Sequence, residues 1–477
     1  MKKTLSISVF LFSITLLVCH SAKAIPRLPY FFSNNMVLQQ QSEPAIWGWA
    51  KAGSRVSVLT SWNNKTYTAT TDDSGKWKTK IATPAAGGPY EITVSDGSPV
   101  IIRNILIGEV WLCSGQSNME MPMKGFKDQP VAGSNDAVFR SANNNIRLYI
   151  VPRSVKLSPQ DTSKNSPWKM AEPESVSNFS ATAYYFGKIL NEMLHVPIGL
   201  VNISYGGSPV EAFMDAKTLA ADFPEIKLPA ADEPKANNKT PTTLFNGMLN
   251  PFIGYGIKGC IWYQGETNYD RAEQYEKIFP AFVKQIRTQF NQGDFPFYFA
   301  QIAPYNNGLY ATPTAIKYNS AYLRDAQRKS LMAMPNSGMA VLMDIGEEYS
   351  IHPAQKEIGS KRLAYMALAQ TYGMKGFGYA SPAFDSLIVG GNIATIKFTN
   401  VPNGLTSFGK PLSNFEIAGA DKVFRPAKAV ISQGRVLVSA IEVKDPVAVR
   451  YAFKDFAVGD LFSTEGFPVS SFRTDNW

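Results

Sequence analysis

Cysteine is nearly absent from this 477-residue chain, which contains only three. Cys19 falls in an N-terminal segment with the pattern of a cleaved signal, so the rest of the chain has only Cys113 and Cys260. A disulfide scaffold or a cysteine-rich metal site needs more thiols than this. The sequence therefore excludes both classes, and we expect Cys113 and Cys260 to be buried free thiols.

Histidine is equally scarce, with three residues in the whole chain. His20 lies in the same N-terminal segment, which leaves His195 and His352. A zinc site that needs two or three imidazoles is therefore nearly excluded. His195 follows a predicted helix, where a cation suits the helix dipole and a structural role is favoured. His352 is the better candidate for a general base.

Long hydrophobic runs are also missing, because no stretch after the first 24 residues reaches the roughly 18 apolar residues of a membrane span. Residues 5–19 form a shorter apolar run that follows two lysines and precedes Ala-Lys-Ala at residues 22–24. This pattern predicts a signal peptide over residues 1–24 and an exported protein, periplasmic or secreted. A lipidated Cys19 is the less favoured alternative, since Val18 stands where a small residue is wanted.

No block of like charge stands out in the sequence. The formal net charge is +9, and it falls to +6 when the three lysines of residues 1–24 are removed. This charge is spread over the whole remaining chain without a long basic run, so it does not indicate nucleic-acid binding. We expect neither nucleic acid nor, after signal cleavage, a membrane as a partner.

The two ends of the mature chain favour β structure. Short alternating segments separated by Gly, Pro and Asp occupy residues 25–104 and 379–477, and they predict an N-terminal β-sandwich module and a C-terminal β-rich module. The strands predicted in these modules are residues 45–50, 56–60, 67–70, 90–94, 393–398, 429–432, 435–439 and 448–452.

The central part, residues 105–378, alternates apolar runs with helix-like segments. The runs have the continuous character of strands buried on both faces of a parallel sheet, at residues 105–113, 198–203, 257–263, 297–302 and 339–343. Helices are predicted at residues 181–194, 270–290 and 320–332. The alternation predicts a doubly wound α/β domain, with residues 222–243 as a probable excursion from it.

Residues that can take part in catalysis follow three of these strands, and one more candidate, an imidazole, lies in a late loop. Residues 115–119 read Gly-Gln-Ser-Asn-Met, residues 204–208 read Ser-Tyr-Gly-Gly-Ser, residues 264–268 read Gln-Gly-Glu-Thr-Asn, and residues 344–353 contain the imidazole. Functional groups in such folds gather beyond the carboxyl ends of the strands. A hydroxyl, glycines, a carboxamide and an imidazole together indicate acyl transfer.

Ser117 is the candidate nucleophile and His352 the candidate base, because an alcohol must lose its proton as it attacks an ester. The negative oxygen of the tetrahedral intermediate then needs hydrogen-bond donors. The candidates are the backbone N–H of Ser117, an N–H of Gly207 or Gly206, and the side-chain amide of Gln264.

Four further residues are candidates for supporting or substrate-binding roles. Gln116 and Asn118 flank the candidate nucleophile, and Glu266 is expected to organise their loop rather than to act as an acid. Arg324 could pair with a sugar carboxylate, although an arginine on a helix surface is the simpler interpretation.

Four sequence blocks resemble the sialate O-acetylesterases of the SGNH (GDSL-like) hydrolase superfamily. The blocks are residues 115–119, residues 205–213 (Tyr-Gly-Gly-Ser-Pro-Val-Glu-Ala-Phe), residues 262–268 (Trp-Tyr-Gln-Gly-Glu-Thr-Asn) and residues 351–353 (Ile-His-Pro). The resemblance spans nearly the whole mature chain. It implies an SGNH-type, flavodoxin-like three-layer domain flanked by β modules, and a serine esterase that needs no metal or organic cofactor.

The resemblance assigns the nucleophile to Ser117 and the base to His352, with Gly207 and Gln264 among the oxyanion donors. One departure concerns the third member of the triad. Many superfamily members have Asp three residues before the catalytic histidine, and this chain has Tyr349 there. The residue that orients the imidazole is left open among three possibilities, which are Asp344, one of Glu347 and Glu348, and a backbone carbonyl such as that of Ser350.

The expected function is therefore an exported serine esterase that removes O-acetyl groups from sialic acid through an acetyl-enzyme. An acetylxylan esterase or another glycan O-acetylesterase is the alternative within enzymes, and a non-catalytic glycan-binding protein is the alternative outside them. The expected partner is an O-acetylated sialic acid or another acetylated glycan. The sequence leaves the oligomeric state open.

Overall fold

The computed structural model describes residues 25–307 and 319–477, so the predicted signal peptide lies outside the described residues. These residues form a mixed α/β structure with a central, mostly parallel sheet and smaller antiparallel sheets. None of the helices in these two ranges is long and apolar enough to span a bilayer.

The N-terminal strands follow the predicted alternation, because every second side chain points to the core. In β3, Val56 and Val58 are buried and their neighbours are more exposed. The predicted strands are confirmed as β2, β3, β4 and β6, whereas β1 and β5 were not predicted. The bounds are β1 (Val37–Gln39), β2 (Ala45–Trp49), β3 (Arg55–Thr60), β4 (Lys65–Thr70), β5 (Lys76–Lys80), β6 (Gly87–Ser95) and β7 (Pro99–Gly115).

The long strand β7 connects the N-terminal strands to the central sheet. Its first part pairs antiparallel with β6, and its last part lies between two parallel neighbours of the central sheet. Side chains alternate between exposed and buried in the first part, and every residue from Ile105 to Gly115 is buried. The boundary predicted between residues 104 and 105 thus falls inside a continuous strand, at the point where burial changes from one face to two.

The central sheet has the strand order β13-β12-β11-β7-β10-β8-β9, and all neighbours are parallel except β8 and β9. All five apolar runs predicted as parallel strands lie in this sheet. Strand β8 was not predicted, because its first half is polar. The bounds are β8 (Asn143–Ile150), β9 (Lys169–Ala171), β10 (Ile198–Ser204), β11 (Gly259–Tyr263), β12 (Phe297–Ala300) and β13 (Ser337–Ala340).

Helices cover both faces of the central sheet. On one face Trp111 packs against Phe186, and on the other Trp262 packs against Phe282, with ring centroids 5.0 and 4.7 Å apart. Cys113 and Cys260 are buried free thiols that belong to different core clusters. The helices are α1 (Ser117–Glu120), α2 (Ser134–Phe139), α3 (Pro173–Ser177), α4 (Ala181–Leu194), α5 (Ala216–Asp222), α6 (Ala272–Phe290), α7 (Ala321–Ser330) and α8 (Lys356–Met366).

The C-terminal residues form antiparallel sheets, and the four strands predicted there are confirmed as β15, β19, β20 and β21. Two four-stranded sheets have the orders β14-β15-β20-β19 and β18-β17-β21-β23. The bounds are β14 (Ala383–Gly390), β15 (Ile393–Thr399), β16 (Leu405–Thr406), β17 (Phe415–Ala418), β18 (Arg425–Pro426), β19 (Lys428–Ser432), β20 (Arg435–Ser439), β21 (Ala448–Tyr451), β22 (Phe462–Ser463) and β23 (Phe472–Arg473).

Arg324 attaches these C-terminal sheets to α7, which corrects the interpretation of this residue as a surface arginine or a ligand for sugar. Its side chain is fully buried. The guanidinium donates to the carbonyls of Lys454 and Asp455 and to the hydroxyl of Ser471. Burial lowers the pKa of Arg324 to about 10. The helix face that carries it is covered by the C-terminal residues, so no substrate reaches it.

We expect Arg324→Met to lower the melting temperature, because the carbonyls of Lys454 and Asp455 and the hydroxyl of Ser471 lose a buried donor at a cost of about 3 kcal/mol. Thermal unfolding followed by circular dichroism measures the shift. The matched control is Arg425→Met, since Arg425 is an arginine near the surface that pairs with Asp421 and should change stability by less than about 1 kcal/mol. Equal shifts for the two variants would contradict this account of Arg324.

Candidate active site

Three loops meet at the carboxyl edge of the central sheet, because β7 lies between β10 and β11. Gly115 at the end of β7 is in register with Ser204 at the end of β10 and with Tyr263 at the end of β11. The loop with Ser117 is therefore flanked by the glycine loop and by the block that contains Gln264. The sequence prediction that these blocks share one edge is supported by the register of the strands.

Gly115 makes the sharp turn that precedes Ser117. Its φ of 142° lies in the region that favours glycine, and a Cβ atom there would lie 2.1 Å from the carbonyl oxygen of Tyr263. Ser117 is the first residue of α1, so its N–H has no acceptor within that helix. The turn thus presents both the hydroxyl and the N–H of Ser117 beyond the end of the strand.

Asn118 connects the serine loop with the loop that carries His352. Its Nδ2 donates to Oε1 of Glu266 at 2.6 Å and to the carbonyl of Ile351 at 3.0 Å. Its Oδ1 accepts a hydrogen bond from Nζ of Lys356. The residue after Ser117 is therefore bonded directly to the residue before His352, which brings the two reactive side chains to the same edge of the sheet.

The imidazole of His352 is held by a side-chain amide. Nδ1 forms a hydrogen bond with Oε1 of Gln129, and the rings of Phe126 and His352 pack edge to face with their centroids 5.3 Å apart. An amide oxygen accepts, so Nδ1 carries the proton and Nε2 presents a lone pair. Nε2 is buried and has no hydrogen-bond partner within the described residues. This is the tautomer that a general base needs.

This contact corrects the prediction that Ser350 or Asp344 orients the imidazole. Asp344 forms a bidentate ion pair with Arg362, with both distances 2.7 Å. The carbonyl of Ser350 is not a partner of the ring either, because Nδ1 bonds to Gln129 and Nε2 has no hydrogen-bond partner within the described residues. The hydroxyl of Ser350 donates to the carbonyl of His352 and accepts from its N–H, so it bonds to the backbone of the loop. Glu347 and Glu348 bond to other residues. An uncharged amide occupies the place of the triad carboxylate.

Buried charges near the imidazole change its protonation. Burial and, to a smaller extent, the positive charge of Lys356 lower the pKa of His352 to about 4. Burial also lowers the pKa of Lys356 to about 7 and raises the pKa of Glu266. The imidazole is therefore neutral near pH 7, as a base must be before it accepts a proton.

The structure corrects the predicted oxyanion role of Gln264. Its side-chain nitrogen donates to the carbonyl of Ser208 at 3.2 Å and to Oδ1 of Asn268 at 2.7 Å, and its Oε1 accepts from the hydroxyl of Tyr275 at 3.0 Å. The residue is fully buried. Both amide hydrogens are used, so Gln264 holds loops together and has no donor left for a substrate.

The two glycines differ in the use of their N–H groups. The N–H of Gly206 donates to Oε2 of Glu120 at 2.8 Å, and its carbonyl accepts from Nδ2 of Asn238 at 2.7 Å. Gly207 has a φ of 73°, and its N–H has no partner within the described ranges. The available backbone donors are therefore those of Ser117 and Gly207, and Asn238 shows that the predicted excursion of residues 222–243 contacts this loop.

Gln116 joins the serine loop to the third block. Its Oε1 accepts from the N–H groups of Gly265 and Thr267, both at 3.3 Å, and the side chain is buried. Glu266 accepts from Asn118, and its second oxygen is buried without a hydrogen-bond partner within the described chain. Gln116 and Glu266 therefore hold the serine loop and the third block together.

Sequence reasoning missed four residues of this site, namely Gln129, Lys356, Glu120 and Asn238. Glu120 could have been found, because it lies three residues after Ser117 and shares its helix face. Lys356 starts α8, which was not predicted, and the other two lie in loops without a recognisable pattern. The parts of the chain that the structure describes contain no cluster of three His, Cys, Asp or Glu residues that could hold a metal ion.

Known proteins resemble this chain in both sequence and structure. The family model described as "Carbohydrate esterase, sialic acid-specific acetylesterase" matches residues 107–365. Sialate O-acetylesterase of Rattus norvegicus is 30% identical over 420 residues, 75% of each chain, and that of Homo sapiens is 29% identical over 385 residues, 75% of this chain and 73% of the human protein. A carbohydrate acetylesterase from Xanthomonas citri superposes with a TM-score of 0.86 and 35% identity, over 95% of this chain and 100% of that one.

The pKa of His352 gives a direct test of the imidazole environment. We expect the ring to titrate near pH 4, and Gln129→Glu to raise this pKa because a carboxylate next to Nδ1 stabilises the imidazolium. In the chain without residues 1–24, only His195 and His352 give imidazole signals in an NMR titration, and a His195→Gln variant assigns them. A midpoint that does not move in Gln129→Glu would contradict the Gln129 contact.

The close approach of Gly206 to Ser117 gives a second prediction. A Cβ atom on Gly206 would lie 3.3 Å from Cβ of Ser117 and 3.1 Å from Oε2 of Glu120. We therefore expect Gly206→Ala to displace the nucleophile and to lower kcat/KM for 4-nitrophenyl acetate about 10²-fold. Gly390→Ala is the matched control, because nothing lies within 4 Å of the added atom. Full activity of Gly206→Ala would contradict the assigned position of Ser117.

Proposed function

Because the chain belongs to the sialic acid-specific acetylesterase family of carbohydrate esterases, and is therefore an ester hydrolase, we propose that it hydrolyses O-acetyl esters of sialic acid through an acetyl-enzyme on Ser117. The observation that carries the proposal is the hydrogen bond between Asn118 and Ile351, next to a buried Nε2 of His352 that has no hydrogen-bond partner in the described part of the chain. It supports a nucleophile and a base at one edge of the sheet.

In the first half of the proposed reaction, Oγ of Ser117 attacks the acetyl carbonyl carbon while Nε2 of His352 accepts the hydroxyl proton. The tetrahedral intermediate then collapses and the bond from the acetyl carbon to the sugar oxygen breaks. The imidazolium returns its proton to that oxygen, so the sugar leaves as an alcohol. The acetyl group remains on Ser117.

In the second half, water replaces the sugar. Nε2 of His352 accepts a proton from the water as its oxygen attacks the acetyl carbon, and the proton then passes to Oγ of Ser117 as acetate leaves. Both tetrahedral intermediates carry a negative oxygen, for which the N–H groups of Ser117 and Gly207 are the proposed donors. Each such donor contributes about 10²- to 10³-fold to the rate in comparable sites.

A triad carboxylate both orients the imidazole and stabilises the imidazolium, and the amide of Gln129 can only orient the ring. It fixes the tautomer and the orientation of the ring through Nδ1. It carries no charge, so it does not stabilise the imidazolium as a carboxylate would. We therefore propose a Ser117–His352 dyad with an amide as its orienting group.

The finer description of the fold and of its location belongs to the same proposal. We assign the catalytic domain, residues 105–378, to the SGNH type, with modules at residues 25–104 and 379–477 that resemble β-sandwiches. The basic start, apolar run and Ala-Lys-Ala of residues 1–24 support export. Helices on both faces of a parallel sheet support the assignment of the catalytic domain.

We expect the Ser117→Ala variant to lose acetate release by at least about 10⁴-fold, because it lacks the attacking oxygen. Acetate is measured enzymatically after incubation with 9-O-acetylated sialic acid, and separately with acetylated xylan. Ser386→Ala is the control, since Ser386 lies in β14 of the C-terminal sheets and its hydroxyl bonds to the neighbouring Asp385.

A phosphonate that reacts with serine nucleophiles should label the wild type and not Ser117→Ala. Undiminished acetate release by Ser117→Ala would overturn the assigned nucleophile. Faster release from xylan than from sialic acid would overturn the proposed substrate and favour a glycan esterase, the activity class named for the Xanthomonas citri protein.

A further inference from the structure

Arg153 lies next to the serine loop in a fixed orientation. Its Nε donates to Oε1 of Glu120 at 2.6 Å, and its guanidinium carbon lies 4.6 Å from the ring centroid of Tyr205. The Nε edge of the guanidinium is thus hydrogen-bonded to Glu120, and one of its flat faces lies over the ring of Tyr205. More than half of the side chain is still exposed to solvent.

A short chain of contacts connects Arg153 to the nucleophile. Glu120 lies three residues after Ser117 on the same short helix, and its other oxygen accepts the N–H of Gly206. Gly206 in turn approaches Ser117 so closely that a Cβ atom would touch it at 3.3 Å. The guanidinium is therefore separated from the nucleophile by a single layer of residues, Glu120 and Gly206.

The part of Arg153 that faces solvent is the part that binds carboxylates best. Within the described residues, Nη1 and Nη2 have no hydrogen-bond partner, since Nε makes the only side-chain hydrogen bond of this arginine. The two terminal nitrogens form a planar fork that matches the two oxygens of a carboxylate. Because Glu120 and Tyr205 already fix the side chain, little rotamer freedom is lost when an anion binds.

A second cation, Lys164, bonds to the backbone of Arg153. Nζ of Lys164 donates to the backbone carbonyl of Arg153 at 3.0 Å, and the Lys164 side chain is exposed. Glu120 is the carboxylate bonded to Arg153, and it uses its two oxygens on Nε of Arg153 and on the N–H of Gly206. Both oxygens of Glu120 are therefore used within the protein, while the side chains of Arg153 and Lys164 are exposed to solvent.

We propose that Arg153 binds the carboxylate of an acidic sugar and so selects anionic over neutral acetyl esters. The inference rests on the proposed function and names the residue that recognises the charge of its substrate. Arg324, which the sequence offered as one candidate for binding a sugar carboxylate, is buried against the C-terminal residues, whereas Arg153 is exposed next to the serine loop. The same chemistry would recognise a sialic acid or a uronic acid.

The test compares an acid with its neutral methyl ester. The substrates are 9-O-acetylated sialic acid and O-acetylated galacturonic acid, each as the free carboxylate and as the methyl ester, and the readout is the acid-to-ester ratio of kcat/KM. We expect Arg153→Gln to lower this ratio about 10- to 100-fold, mainly through KM of the acid, as for loss of a charge-assisted hydrogen bond. Arg153→Lys, which keeps the charge without the fork, should give an intermediate ratio.

Arg425→Gln is the matched control, because Arg425 also pairs with a carboxylate, Asp421, and lies in the C-terminal residues. It should leave the ratio unchanged. If Arg153→Gln lowers kcat/KM equally for acid and methyl ester, Arg153 only positions Glu120 and the proposal is overturned. A ratio that does not change at all overturns it as well.

The outcome is separable from that of the proposed function. If the wild type cleaves 4-nitrophenyl acetate and the galacturonate ester but not the sialate ester, sialic acid is the wrong substrate, and the ratio for galacturonate still tests Arg153. If the wild type prefers both methyl esters to the acids, the carboxylate site is rejected while the esterase remains.

Discussion

Asn118 makes the hydrogen bonds on which the geometry of the site depends. One side-chain amide bonds to Glu266, to the carbonyl of Ile351 and to Lys356, which belong to segments 148 or more positions away along the chain. Asn118 and Lys356 are almost fully buried. In such surroundings an unmade hydrogen bond costs the full desolvation of the group, so the network permits few alternative arrangements. The hydrogen bonds of Asn118 therefore determine how far apart the serine loop and the histidine loop lie in space.

The same network brings a buried ammonium group close to the imidazole. A positive charge beside His352 disfavours the imidazolium, and burial acts in the same direction. The base is therefore neutral over a wide pH range, but it is a weaker base than an imidazole paired with a carboxylate. Gln129 contributes orientation without charge, which fits a site where the environment already determines the protonation state.

Much of the fold could be predicted, because burial leaves a local pattern. The continuous apolar runs in β7, β10 and β11 were recognised as parallel strands, and α4 was predicted with the observed bounds. Strand β8 was not predicted because its first three residues are polar. Helix α8 was not predicted because its apolar residues do not form a clear helical stripe. The change of pattern at residue 105 was interpreted as a domain boundary, and in the structure it marks the entry of one strand into a sheet covered on both faces.

The sequence alone determined which residues could do chemistry: one serine after a buried strand, two adjacent glycines, and one histidine in a late loop away from any predicted helix end. Tertiary structure decided what those residues touch. In the folded protein the imidazole bonds to Gln129, and both amide hydrogens of Gln264 bond to other protein groups. Arg324 is buried, and Arg153 is exposed next to the serine loop. The physical reason is that a strand or helix depends on neighbours a few positions away, whereas a hydrogen bond between loops depends on how distant segments pack, and no short-range pattern records that.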